Sequence, residues 1–397
     1  MAALIEFEDA RSLVLEYAAP LAPETVSLHD ALGRVLAEEV SAPADVPPFD
    51  NSAMDGFAVR ASDSGAGVRL RIVDESRAGA PARATVGTGE ACAISTGAVI
   101  PDGADAVVRV EDTRHHDGVV ELLVSVESGY CVRRAGDDMS AGAPVLDAGL
   151  RLGPAELGVL ASMGRASILA GPRPRVAIVT TGDELIGLDQ PLPPGGVHNS
   201  GAYVMPALVE QAGAQTISVA HARDDPALIQ EAIGAALDAD VTVITGGMSI
   251  GEHDHVGVVL ATLGVKRRFA GVALKPGKPM SFGTRGATLV FGLPGNPVSS
   301  LVTFLLFARP ALRALAGERA QRRQTLATLD EDFEREPSRT HAVRCRIELQ
   351  SDGWHAITTG PQNSHILTSM LGADALAIIP AGEGAAAAGE RVLVELL

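Results

Sequence analysis

From Arg173 onward the chain repeats one pattern, a short and almost wholly apolar run alternating with a helical segment. The runs are RVAIVTT, AQTISVA, DVTVITGG and ATLVFGLPG, and helices are expected at 199–212, 225–237, 254–263 and 297–316. Strands of this kind have no polar face to offer water. They must be covered on both sides, which predicts a doubly wound parallel sheet. Such sheets bind ligands beyond the carboxyl ends of their strands, so the loops leaving these runs are where chemistry is expected.

The rest of the chain reads differently. The periodicity predicts a helix over 7–17 with Leu13, Val14 and Tyr17 on one side, then a short helical piece at 29–32 and a strand-like VLAEEVSA. A proline-rich crossing at 42–48 leads into short β-like runs between about 67 and 138, separated by glycine and aspartate turns, which predicts a small all-β unit. Gly153-Pro154 opens a helix through Met163, with proline suited to its first turn. After Gly317 the helices stop, and TLATLDEDF, AVRCRIEL, WHAITTG, ALAIIP and RVLVELL predict a second β unit. At 397 residues, two to four domains are expected.

Charge and cysteine usage exclude several classes. A formal net charge of −17 argues against a general nucleic-acid or anionic-membrane binder. No membrane-length apolar run and no secretory leader are expected, the first residues carrying Glu6, Glu8 and Asp9. Cys92, Cys131 and Cys345 are odd in number and form no CxxC pair, which fits a reducing cytoplasm and no structural zinc.

Only three of the 32 cationic residues are lysines, Lys266, Lys275 and Lys278, all within thirteen positions. Chance clustering is the plain alternative; a requirement for a compact ammonium is the functional one. Lys275 and Lys278 sit in KPGKP, one of four glycine-rich loops. The others are TTGDE (180–184), GGMSIGEHD (246–254) and GLPGNP (292–297). Glycine lets the backbone approach an anion, and a helix N-terminus presents free N–H groups to it. Any one loop could be a tight turn without a ligand; four at one sheet end argue for a site. GxxxxGK[ST] and GxGxxG fingerprints are absent. Instead the loops combine Asp183, Glu184, Glu252 and Asp254 with the two lysines, a set that suits a hydrated Mg²⁺ held against a phosphate or a tetrahedral oxyanion. Asp225, before Pro226, suits a helix cap as well as a ligand, and Asp224 is the freer of the two. His253 and His255, two apart, do not share a helical face for zinc. Ser299-Ser300 lack a GxSxG elbow. A further loop, PPFDNSAMDGFA (47–58), has no clean periodicity and suggests a functional segment or a domain-linking turn.

PPFDNSAMDGFAV, TTGDEL, GGMSIGEHD, KPGKP and GLPGNPVS, in that order, resemble molybdopterin molybdenumtransferase, the MoeA and gephyrin E-domain family, across essentially the whole chain. The resemblance implies a multidomain α/β plus all-β subunit. Residues 1–42 plus 139–168 would form a split, elongated, dimer-forming domain I. Residues 43–138 would form an inserted β domain II, 169–318 a molybdopterin-binding α/β domain III, and 319–397 a C-terminal β-barrel, domain IV. It implies a cytoplasmic homodimer with its site shared between subunits, acting on molybdate and adenylylated molybdopterin with Mg²⁺ and releasing AMP. A molybdopterin adenylyltransferase and cofactor-receiving apoenzymes would be its partners.

By position, Asp55, Asp138, Glu184, Asp224 and Asp254 fall on the family's catalytic residues, with Asp224 and Asp254 as metal ligands. Thr96, Ser249, Lys275, Lys278, Pro294, Pro297, Arg344 and Ser364 fall on its substrate-binding residues. Lys275, Lys278, Arg344 and Ser364 would hold molybdate. Phe57 stands where the family commonly has tyrosine, and His255 where an aromatic residue often follows the aspartate. The rival readings are the preceding adenylylation step and a scaffold that has lost activity.

Overall fold

The protein is described by a computed structural model over residues 4–247, 255–319 and 324–397. Its centre is a sheet of β1 (Arg175–Thr181), β2 (Gln215–Ala222), β3 (Val241–Thr245), β4 (Lys266–Ala270), β5 (Ser281–Arg285) and β6 (Thr288–Leu293), in the order β2-β1-β3-β6-β5-β4. β2, β1, β3 and β6 are parallel and correspond to the four apolar runs. β5 and β4 extend the sheet antiparallel. KRRFA of β4 carries no apolar run because that strand lies at an edge with its first three residues exposed. SFGTR of β5 is buried but short and built mostly from Ser, Gly and Thr, so the pattern hid both.

The helices are α1 (Phe7–Tyr17), α2 (Pro154–Ser162), α3 (Gly201–Gln211), α4 (Pro226–Ala236), α5 (His255–Thr262) and α6 (Pro297–Leu315). Side chains of β1 alternate between two cores. Val176 and Ile178 join Met205 and Val209 of α3 on one face. Ala177 and Val179 join Ile229 and Ile233 of α4 on the other. Fully burying each such aliphatic side chain stabilises by about 1.5–3 kcal/mol. Contrary to the sequence expectation, α6 is long and apolar enough to cross a membrane. However, 83% of its apolar window is buried, with Phe304, Leu306 and Leu312 in the sheet core. It is the apolar centre that the sheet is built around.

α1 packs against the central sheet. Phe7, Ala10 and Val14 form one helical face that packs in the central-sheet core, and the Phe7 ring meets Phe307 edge-on at 5.7 Å. Arg11 on α1 donates to Glu395 on the last strand at 2.5 Å, both side chains only 6% exposed. Residues 26–42 share a separate core with 139–170, where Glu24–Ser27 pairs antiparallel with Ser167–Ala170.

Between those two segments lies a six-stranded sheet ordered Ala106–Arg109, Gly56–Val59, Glu90–Ile94, Arg69–Ser76, Val119–Leu122, Thr113–His116. Gly56 of the MDGFAV motif is a packing requirement: a Cβ there would lie 2.0 Å from the Val108 carbonyl oxygen of the neighbouring strand. At the C-terminus Thr340–Gln350, Gly353–Thr358, Gln324–Leu329, Arg391–Leu396 and Ala375–Ile379 pair in succession. The last pairs back to the first, closing a barrel.

Candidate active site

Two adjoining cavities open where the parallel strands end. The larger, about 970 Å³, takes Thr181 at the end of β1 and Gly182 just past it, Asp224 after β2, Gly246 and Gly247 after β3, and Pro294 to Pro297 after β6. Glu184 and His255 also face it. The smaller, about 590 Å³, lies between KPGKP and the barrel. It is lined by Lys275, Lys278, Ser299 and Ser364, with Glu336, Arg339 and His341 on the barrel side. Lys278, Pro279, Pro294 and Asn296 belong to both walls.

Local chemistry explains each loop. Gly246 has φ +91°, and a Cβ would come within 2.4 Å of the Thr181 carbonyl oxygen, so β1 and β3 can end this close together only with glycine. Asp225 is the helix cap: its carboxylate accepts from the amides of Ala227 at 2.9 Å and Leu228 at 3.1 Å, with Pro226 as the first helical residue. Asp224 is thereby left to the cavity. Its neighbour Asp183 accepts from Arg223 Nε at 3.0 Å, and that bond with the Asp224 amide holds its carboxyl below the usual range. Asn296 occupies the cap position of α6 without a side-chain cap bond. Its Nδ2 instead donates to Ser364 Oγ at 3.3 Å, tying the sheet loop to the barrel.

In the smaller cavity Lys275 Nζ donates to Glu336 Oε1 at 2.5 Å, and Arg339 Nη2 donates to Glu336 Oε2 at 2.8 Å. The Lys275 bond, followed by that from Arg339, keeps Glu336 below the ordinary carboxylate range. His341 pairs in register with Lys275 and is 2% exposed, and neither ring nitrogen has a hydrogen-bond partner among the described residues. Burial first, then the charges of Lys275 and Arg344, push its pKa down to about 3, so the ring is neutral at physiological pH.

Arg344 lies on the barrel strand Thr340–Gln350. It is fully buried and lines neither cavity. Its Nε donates to Ser369 Oγ at 3.2 Å, and its Nη2 donates at 3.4 Å to the carbonyls of Pro361 and Asn363. Burial lowers its pKa to about 10. Arg344 therefore ties to the segment that presents Ser364, while its buried Nη1 has no hydrogen-bond partner among the described residues. Arg339, five residues earlier, lines the smaller cavity. Glu336, Arg339 and His341 were missed from sequence. The charged segment EREPSR before the barrel strand was the only signal.

In the inserted unit, Asp55 Oδ1 accepts from the Thr96 amide at 2.7 Å and the Thr96 hydroxyl at 2.9 Å, the amide bond being the larger cause of its lowered pKa. Asp138 is exposed, its amide donating to the Val46 carbonyl at 3.0 Å. Asp55, Thr96 and Asp138 line neither cavity. Ser249, Asp254, Glu252 and His253 lie outside the described residues.

Fold and cavities together define a multidomain α/β protein with a cavity at the strand ends of its parallel sheet and a second cavity between that sheet's loops and a β-barrel. Residues 5–164 match the MoeA N-terminal region (domain I and II), 177–314 a probable molybdopterin binding domain, and 327–397 the MoeA C-terminal region (domain IV). A molybdopterin molybdenumtransferase of Nostoc sp. is 38% identical over 94% of this chain and 88% of its own length. One from Haemophilus influenzae is 33% identical over 99% of this chain and 98% of its own. The crystal structure of the molybdopterin biosynthesis MoeA protein from Pyrococcus horikoshii superposes with a TM-score of 0.83 at 29% identity, covering 100% of both chains. The chain belongs to the MoeA, or molybdopterin molybdenumtransferase, family, and with that family to molybdenum cofactor biosynthesis.

Proposed function

We propose that this protein catalyses the Mg²⁺-dependent insertion of molybdate into adenylylated molybdopterin with release of AMP. The observation that carries the reading is the shared wall. A carboxylate-lined cavity at the strand ends and a lysine-lined cavity beside the barrel meet at Lys278, Pro294 and Asn296. A pterin nucleotide in the larger would thus lie against an oxyanion in the smaller.

Lys275, Lys278, Arg344 and the Ser364 hydroxyl hold molybdate in this reading, with Arg339 adding a further cation to the cavity wall. Pro294 and Pro297 shape the wall between the substrates, and Ser249 adds to nucleotide binding. Among the described residues no three His, Cys, Asp or Glu side chains gather as a metal site. Mg²⁺ nonetheless fits, because it is commonly held by one or two carboxylates together with waters and substrate phosphates. Asp224 would hold it with Asp254, and Glu184 shares the Asp224 cavity. When bound, Mg²⁺ offsets charge developing on the phosphate at the cleaved bond. The lysines lower the repulsion between two anions and fix their approach.

Asp55, Thr96 and Asp138 are assigned to the site of a second copy, which makes the active form in this reading a homodimer, and its place the cytoplasm. Adenylylated molybdopterin would arrive from a molybdopterin adenylyltransferase, and the finished cofactor would pass to apoenzymes. The test is AMP release from purified protein given adenylylated molybdopterin and Mg²⁺, with and without molybdate. Molybdate-stimulated release with active cofactor is expected. Tight binding without release would point to a carrier, and activity only with ATP and free molybdopterin to the preceding step.

A further inference from the structure

In the smaller cavity the most exposed cation of KPGKP and the one deepest against the barrel have different company. Among the described residues Lys278 makes no ion pair and is exposed. Lys275 is already neutralised, its ammonium bonded at 2.5 Å to Glu336. The other oxygen of the same carboxylate takes Arg339 at 2.8 Å. One carboxylate thus spans two cations across the cavity, presenting two oxygens to two donors as a tetrahedral oxyanion would.

We propose that Glu336 is a built-in surrogate anion, which an entering tetrahedral oxyanion must displace from Lys275 and Arg339 in order to bind. The inference rests on reading this cavity as the oxyanion site. Its physical basis is that an unpaired lysine and arginine facing each other would repel, and the carboxylate removes that cost while the cavity is empty of substrate. His341, beside Lys275 in register, cannot share that duty, because an imidazole is neutral or cationic and supplies no negative charge. A dianion brings more charge than the carboxylate and so wins the exchange, whereas a monoanion does not. The internal carboxylate sets a threshold that favours doubly charged oxyanions over chloride or monocarboxylates.

The experiment is isothermal titration of the full-length protein with sodium molybdate, and with sodium chloride in competition, for wild type, Glu336→Gln and Lys278→Ala. Glu336→Gln should bind molybdate about tenfold more tightly, and chloride should compete with it where it does not compete in wild type. Unchanged or weaker molybdate binding by a folded Glu336→Gln variant overturns the proposal and leaves the site reading intact, provided that wild type binds and Lys278→Ala does not. No molybdate binding by wild type would overturn both. Should Glu336→Gln not fold, the three lysines allow a direct check, because ¹³Cε-lysine labelling of wild type yields only three signals. Movement of the Lys275 signal on adding molybdate supports displacement of Glu336; movement of Lys278 alone overturns it.

Discussion

Asp183 and Asp224 hold each other in place: the Asp183 amide donates to Asp224 Oδ2 and the Asp224 amide donates to Asp183 Oδ1, both at 3.3 Å. The pair ties the loop after β1 to the loop after β2. It leaves Asp224 with one committed oxygen and one for the cavity. Asp224→Asn keeps an acceptor for the Asp183 amide and loses only the charge. AMP release should fall about 100-fold at fixed Mg²⁺ with little change in Tm. Wild-type turnover across a Mg²⁺ titration would contradict the assignment.

Lys275 should separate the two substrates. Lys275→Ala is expected to weaken molybdate-dependent turnover far more than it weakens pterin-nucleotide binding, since Lys275 lines only the smaller cavity. Turnover against molybdate concentration and direct nucleotide titration read the two effects. Equal losses would remove Lys275 from the oxyanion site.

The location of Asp55 offers a test of the shared site. Asp55 and Thr96 are bonded together yet line neither cavity of their own chain. Asp55→Ala and Lys275→Ala should each be inactive alone. Unfolded together and refolded, they should recover part of wild-type AMP release, because a mixed dimer contains one intact site. No recovery, with mixed dimers shown by mass spectrometry, would place both residues in the same chain's site.

The barrel carries a pH dependence unrelated to catalysis. His355 Nδ1 is 2.5 Å from Asp330 Oδ1 and Nε2 is 2.9 Å from Asp352 Oδ1. The Asp330 bond first, then that with Asp352, raises the imidazolium pKa above its ordinary 6.5. A folded pKa above the unfolded one means that the stabilisation is fully present below about 6.5 and is lost as pH rises through the raised value. The Tm advantage of wild type over His355→Gln should therefore be greatest at acidic pH and shrink on going alkaline. A constant difference across that range would rule out the charged pair.

β1, β3 and β6 were legible because burial on both faces leaves a mark in composition: Val176 to Val179 and Val241 to Ile244 have no polar member except Thr242, itself bonded to a backbone carbonyl. β2, expected to be covered on both sides, instead lies at the sheet edge and is mostly exposed. The Asp225 cap was legible because capping is local, decided by Pro226 and two nearby amides. Lys275 and Lys278 stood out by scarcity. By contrast, nothing in AVRCRIEL tells that the Arg344 guanidinium turns to the carbonyls of Pro361 and Asn363. Nor does the periodicity of α1 say which apolar surface it covers.

By itself, then, the sequence determined the elements whose energetics are local or periodic: two-sided strands, capped helices, glycine turns and the lysine pair between them. Tertiary structure alone decided that α1 covers the sheet, that Arg344 ties to a loop and Arg339 lines the cavity, and that Glu336 reaches Lys275. The Lys275–Glu336 and Arg11–Glu395 contacts join residues 61 and 384 positions apart. Their formation depends on how separately folded units dock, and docking is set by surface shape and charge summed over many residues, which no short stretch of chain records.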